Sequence, residues 1–110
     1  MNKTTRISKK ILSAEQIYEQ AQLLEKEEVN SLKFPVEEVL DSESDIRARS
    51  QKIHRATSLG NLEKYKVTIV FQDSVGAKKI STTIWAQTEK KILLKGGMSI
   101  PVHRIWDVVI

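Results

Sequence analysis

Two histidines, His54 and His103, are the only imidazoles in 110 residues, and the chain has no cysteine. Disulfides, thiolate metal sites and cysteine nucleophiles are therefore excluded. A metal or acid–base role for either histidine would need a carboxylate or second imidazole converging on it. His54 instead sits in a basic stretch between Lys52 and Arg55, and His103 adjoins Arg104. Both read as structural or surface residues. Glu37, Glu38, Asp41, Glu43 and Asp45 are crowded together but lack the alternating oxygen ligands and central glycine of a calcium loop. Helix capping and a solvated acidic face account for them better. Gly96-Gly97 is followed by neither a Lys-Ser/Thr pair nor a helix, so it reads as a tight hairpin turn and not a phosphate loop. No nucleophile–base pair, metal set or cofactor loop can be assembled. The expectation is a non-enzymatic protein with no catalytic residue, no metal, no cofactor and no small-molecule substrate.

The basic residues carry more. Arg47, Arg49, Lys52 and Arg55 fall on one predicted helix, while Lys78, Lys79, Lys90, Lys91, Lys95 and Arg104 fall at predicted strand ends and turns. Side chains of this kind make strong, salt-sensitive contacts to phosphate. Arg47, Arg49, Lys52, Arg55, Lys78, Lys79, Lys95 and Arg104 are accordingly the candidate nucleic-acid-binding set. The competing reading is that lysines at strand edges block edge-to-edge aggregation. Trp85 and Trp106 are the aromatic candidates. An exposed Trp on a small sheet can stack on a base, whereas one packed under an N-terminal helix belongs to the core. The second role suits one of the two, and the pattern leaves open which.

The elements that must position these residues follow from periodicity and caps. Ser13 with Gln16 three residues on has the form of a capping box, and Ile17, Ala21 and Leu24 make a narrow apolar stripe, which predicts a helix over residues 14–29. Phe34-Pro35 predicts a short helical turn. A second long helix is predicted over 43–58, with Ile46, Ile53 and Ala56 inward and Gly60 as the left-handed residue that ends it. From Tyr65 the period changes to two. Strands are predicted over 67–72, 79–87, 92–95, 98–100 and 105–110, with a single turn at Val102-His103-Arg104.

The chain thus divides into a disordered basic tail over 1–12, a helical region over 13–62 and a small β-barrel over 63–110. The expected class is α+β: N-terminal helices followed by a five-stranded, strongly twisted antiparallel barrel. Five short strands with a single turn before the last resemble SH3-like and Sm-like barrels. The order of a helix before such a sheet is similar to the small bacterial modulators of Rho-dependent termination. The comparable stretches are the apolar strand from Val67 ending at Asp73 and the Val102-His103-Arg104-Ile105 step; the Sm-type glycine signature is absent, since Gly96-Gly97 precedes the fourth strand. The resemblance covers residues 65–110 only.

Charge is sorted along the chain. Residues 11–45 carry a net −8 and residues 46–110 a net +8, within an overall +4. Such sorting points either to an anionic partner or to internal pairing, with the acidic segment folded over the basic half. No apolar run reaches the roughly 18 residues of a membrane span, and the basic N-terminus lacks a signal-peptide core, so the expected compartment is the cytoplasm. The functional expectation is a nucleic-acid-associated regulator acting through the basic helix and barrel edges. The alternative is a protein-interaction adaptor using the acidic N-terminal helix or an edge strand.

Overall fold

The computed structural model describes residues 13–110; the predicted N-terminal tail lies outside the described residues. The capping box forms as expected: Ser13 Oγ accepts from the Gln16 amide at 3.1 Å, and Gln16 Oε1 accepts from the Ser13 amide at 2.8 Å. The helix it starts, α1 (Ala14–Gln20), is short. The chain then extends as β1 (Gln22–Leu23), followed by a 3₁₀ helix over Lys26–Ser31. The predicted 14–29 helix is thereby corrected. Beyond Ala21 the apolar residues Leu24 and Val29 are buried in the main core, and the Leu24 amide donates to the Lys79 carbonyl at 2.9 Å. A sheet edge offering backbone partners and a core site outcompetes a thin amphipathic stripe. The turn expected at Phe34-Pro35 is not helical; residues 32–42 run irregularly to Ser42, whose hydroxyl caps α2 (Glu43–Glu63).

Helix α2 continues past the expected stop. The left-handed residue that ends it is Lys64, with φ 55°, and Gly60 lies inside the helix. Gly60 is needed for a different reason. A Cβ there would stand 2.4 Å from the Ile84 carbonyl oxygen, so only glycine lets the helix approach that strand so closely.

The strands are β2 (Val67–Gln72), β3 (Ala77–Thr82), β4 (Ile84–Gln87), β5 (Lys91–Leu94), β6 (Ser99–Pro101) and β7 (Ile105–Val109). A 3₁₀ turn at Val102–Arg104 separates the last two, as the sequence predicts. The predicted 79–87 strand breaks at Thr83 into β3 and β4. The strands form two sheets, ordered β1-β3-β2-β7 and β4-β5-β6, and do not close into one five-stranded barrel. The physical reason lies at the seams. Helix α2 packs against both β4 and β7, the edge strands on one side, while the 3₁₀ helix packs against β3 and β6 on the other. Ile53 and Ala56 of α2, Val29 of the 3₁₀ helix and Leu24 enter the same core as Ile69, Phe71, Ile80, Ile84, Ile92, Leu94, Ile100 and Ile105. Apolar side chains from helical elements do here what strand-to-strand hydrogen bonds do in a closed barrel.

Candidate nucleic-acid interface

The eight basic residues singled out by sequence divide by environment. Arg49 is 4% exposed, and its guanidinium grips both oxygens of Glu38 at 2.6 and 2.7 Å while also donating to the Ile105 carbonyl at 3.1 Å. Arg104, also buried, donates through Nε to the Gln72 carbonyl at 3.0 Å and through its terminal nitrogen to the Glu37 carbonyl at 2.7 Å. Lys78 is buried against Asp73, with Nζ 3.2 Å from the carboxylate. Lys79 donates to the Tyr18 carbonyl at 3.0 Å, and its Nζ lies 4.0 Å from the centre of the Tyr18 ring. These four hold the fold together. Lys52 is exposed but paired with Asp107 at 2.8 Å. Arg47, Arg55 and Lys95 are exposed. The helical period sets Arg47 away from the buried face of Arg49, Ile53, Ala56 and Gly60, while Arg55 flanks a hollow shared with Val108 and Val109 of β7.

His103 belongs to the structural group as well. Its Nε2 donates to the Pro35 carbonyl at 3.0 Å, and the Val39 amide donates to the His103 carbonyl at 3.0 Å. His54 is exposed on α2. Among the described residues no three His, Asp or Glu side chains converge as metal ligands would, and no helix is long and apolar enough to cross a membrane.

Trp106 packs with Ile17, Ala21 and Val70 under α1, and its indole N–H donates to Gln72 Oε1 at 3.0 Å. The other indole, Trp85, is 45% exposed. A register shift between Ile84 and Ala86 sets Trp85 and Ala86 against the single partner Leu93, and such a bulge re-aims side chains. In β5 the buried Ile92 and Leu94 alternate with exposed Lys91 and Leu93, and the exposed Lys95 follows at the start of the turn. Lys91, Leu93 and Lys95 therefore share the outer face of the three-stranded sheet, with Trp85 beside them.

One end of this face runs into a polar groove of about 340 Å³, whose lining includes Lys26, Lys66, Lys95, Ser81, Thr82 and Thr83. Lys66 comes from the α2–β2 connection, which also presents Lys64 and a 42%-exposed Tyr65. The Thr83 hydroxyl lies 3.5 Å from the Lys64 carbonyl, and the Lys95 amide donates to the Thr83 carbonyl at 2.9 Å. Those two contacts bring the connection, the groove and the sheet face together. Among the described residues, Lys26, Lys64, Lys66, Lys91 and Lys95 form no ion pair. Glu25 and Glu27 line the same groove.

Only Lys95 of the sequence-selected set belongs to this cluster. Trp85 was an aromatic candidate and Lys91 a basic strand-end residue in the sequence; Lys26, Lys64, Lys66 and Tyr65 join them only through the tertiary fold. No protein-family model, curated protein or solved structure gives a significant match to this chain.

Proposed function

We propose that this protein is a non-catalytic nucleic-acid-binding module, and that the outer face of the β4-β5-β6 sheet is its binding surface. The observation that carries the reading is the half-exposed Trp85 beside Leu93, flanked by Lys91 and Lys95, neither of which has a partnering carboxylate among the described residues. Exposed aromatic surface among unneutralised lysines suits base stacking combined with phosphate contact. The strand order supports a finer architectural reading. β7-β2-β3 forms one half and β4-β5-β6 the other, β3 runs into β4 through Thr83, and a 3₁₀ turn precedes β7. That order, with β1 added at the β3 edge, supports reading the fold as an opened SH3-like layout whose seams are filled by helices. The proposed setting is a cytoplasmic regulator.

Fluorescence anisotropy with labelled single-stranded RNA, single-stranded DNA and duplex DNA tests the function. At least one probe should bind at 50 mM salt, with affinity falling steeply by 200 mM. Failure of all three to bind at 50 mM salt overturns it.

A protein-docking reading is favoured by a separate feature. An apolar hollow of about 320 Å³ lies between α1 and the end of β7, lined by Tyr18 and Val109 and rimmed by Glu15, Glu19 and Asp107. It suits a basic, apolar peptide. Strand addition at β7 is less suited, because the Ile105 carbonyl is taken by Arg49 and the Val108 amide donates to the Asp107 carboxylate at 2.9 Å.

A further inference from the structure

We infer that the ligand of this surface is a single strand, its base stacked on Trp85 and its phosphates led into the groove by Lys95 and Lys66. The inference rests on the nucleic-acid reading and names the ligand class within it.

Trp85 offers an indole that one base plane can cover. In a duplex the base planes are stacked on each other and only their edges reach the grooves, so an aromatic platform on a sheet has no face to meet. An unstacked strand presents its bases to such platforms, and each stacked base contributes an increment insensitive to its identity. Trp85 follows Thr83 by two residues, about 7 Å along an extended chain, and Thr83 lines the groove. A base on Trp85 and a neighbouring phosphate in the groove are thus within one nucleotide's reach. There the phosphate meets Lys95 from β5's end and Lys66 from the α2–β2 connection. Lys26 adds a third lysine to the groove lining. Tyr65, next to Lys66 and half-exposed, supplies a second ring for an adjoining base.

Glu25 and Glu27 set the limit of this path. Both residues line the groove from the β1–3₁₀ side, so their negative charge steers a phosphate backbone toward Lys66 and Lys95. They also lower affinity, which is the residue-level form of the charge sorting along the chain. Leu24 and Val29 from the same segment are part of the core, so the mask is tested by neutralising charges and not by removing the segment.

The experiment uses the full chain with 5′-labelled twelve-residue oligo-uridylate and oligo-thymidylate strands and a duplex of equal length, read by anisotropy from 50 to 300 mM salt. Single strands should bind at least tenfold more tightly than duplex. Trp85→Ala should weaken single-strand binding roughly tenfold, from the stacking of one base. Lys66→Gln with Lys95→Gln should reduce the slope of log affinity against log salt by about 1.4, from two lost contacts at about 0.7 each. Glu25→Gln with Glu27→Gln should tighten binding, and Arg47→Gln with Arg55→Gln should leave it unchanged. Trp85→Phe, which keeps a ring, should restore most of the loss. Equal affinity for duplex with a neutral Trp85→Ala, or loss of binding with Arg47→Gln and Arg55→Gln instead, overturns the single-strand inference while nucleic-acid binding stands. Absence of binding to every probe overturns both.

Discussion

Asp73 shows how a single carboxylate organises a turn and a buried cation together. Its Oδ1 accepts from the Val75 amide at 2.8 Å, the Gly76 amide at 2.9 Å and Lys78 Nζ at 3.2 Å. Burial pushes the carboxyl pKa up, but the Gly76 and Val75 amides and the Lys78 ammonium outweigh it and hold the group below its ordinary 3.8. Glu38 behaves alike: burial raises its pKa, and the Arg49 guanidinium with the Leu40 and Val39 amides brings it below 4.5. A carboxylate with a depressed folded pKa stabilises the protein above its unfolded pKa, and that contribution is lost as pH falls through the folded value. Stability should therefore be level around neutrality and decline only on acidification below about pH 4. Asp73→Asn strands Lys78 in the interior and should cost about 3 kcal/mol at pH 7. Urea unfolding at pH 7 and pH 3 checks this, because the gap between wild type and variant should narrow at pH 3. An equal gap at both would show that Asp73 does not act through its charge.

At the scale of elements, α2 and β4 meet in close contact at Gly60. Gly60 has no room for a Cβ against the Ile84 carbonyl, and the Thr83 methyl would also stand 2.9 Å away. Gly60→Ala must push the helix from the strand, and the expected loss is about 2 kcal/mol, the usual scale of overpacking. Lys64 presents the opposite case. It ends α2 at φ 55°, a conformation that costs a residue with a Cβ roughly 1 kcal/mol. Lys64→Gly should raise stability by up to about 1 kcal/mol, with thermal melts as the measure. Both effects were hidden in the sequence for the same reason. Gly60 stands where a helix-ending glycine is expected, and only the approach of β4 shows that it serves packing.

Across the whole molecule, the acidic and basic portions are interlocked, not stacked as separate layers. The irregular acidic segment over residues 32–42 is held by Arg49 through Glu38, by Arg104 through the Glu37 carbonyl and by His103 through the Pro35 carbonyl. The segment before it supplies β1 and the seam-filling Val29, which is 2% exposed. A chain beginning at Leu32 should therefore lose its cooperative thermal transition, because the seam between β3 and β6 is left open. Circular dichroism melts decide this; a sharp transition in the shortened chain would show that the strands fold independently of what precedes them.

Most strand positions after Tyr65, the turns at Gly96-Gly97 and Val102–Arg104, the Ser13 capping box and the mixed α+β class were legible in sequence, because each depends on residues within a few positions of one another; β1 and the break at Thr83 were not. Periodicity and local cap chemistry act at that range. Three outcomes required distant parts of the chain: the early end of α1, the division of the strands into two sheets, and the conversion of Arg49, Lys78 and Arg104 from candidate ligands' partners into buried supports. A basic residue reads the same in sequence whether a carboxylate or carbonyl awaits it or water does. Only the fold brought Glu38 to Arg49, set Lys91 and Lys95 near Trp85 and put Lys66 in the adjoining groove, none of the three lysines in an ion pair among the described residues.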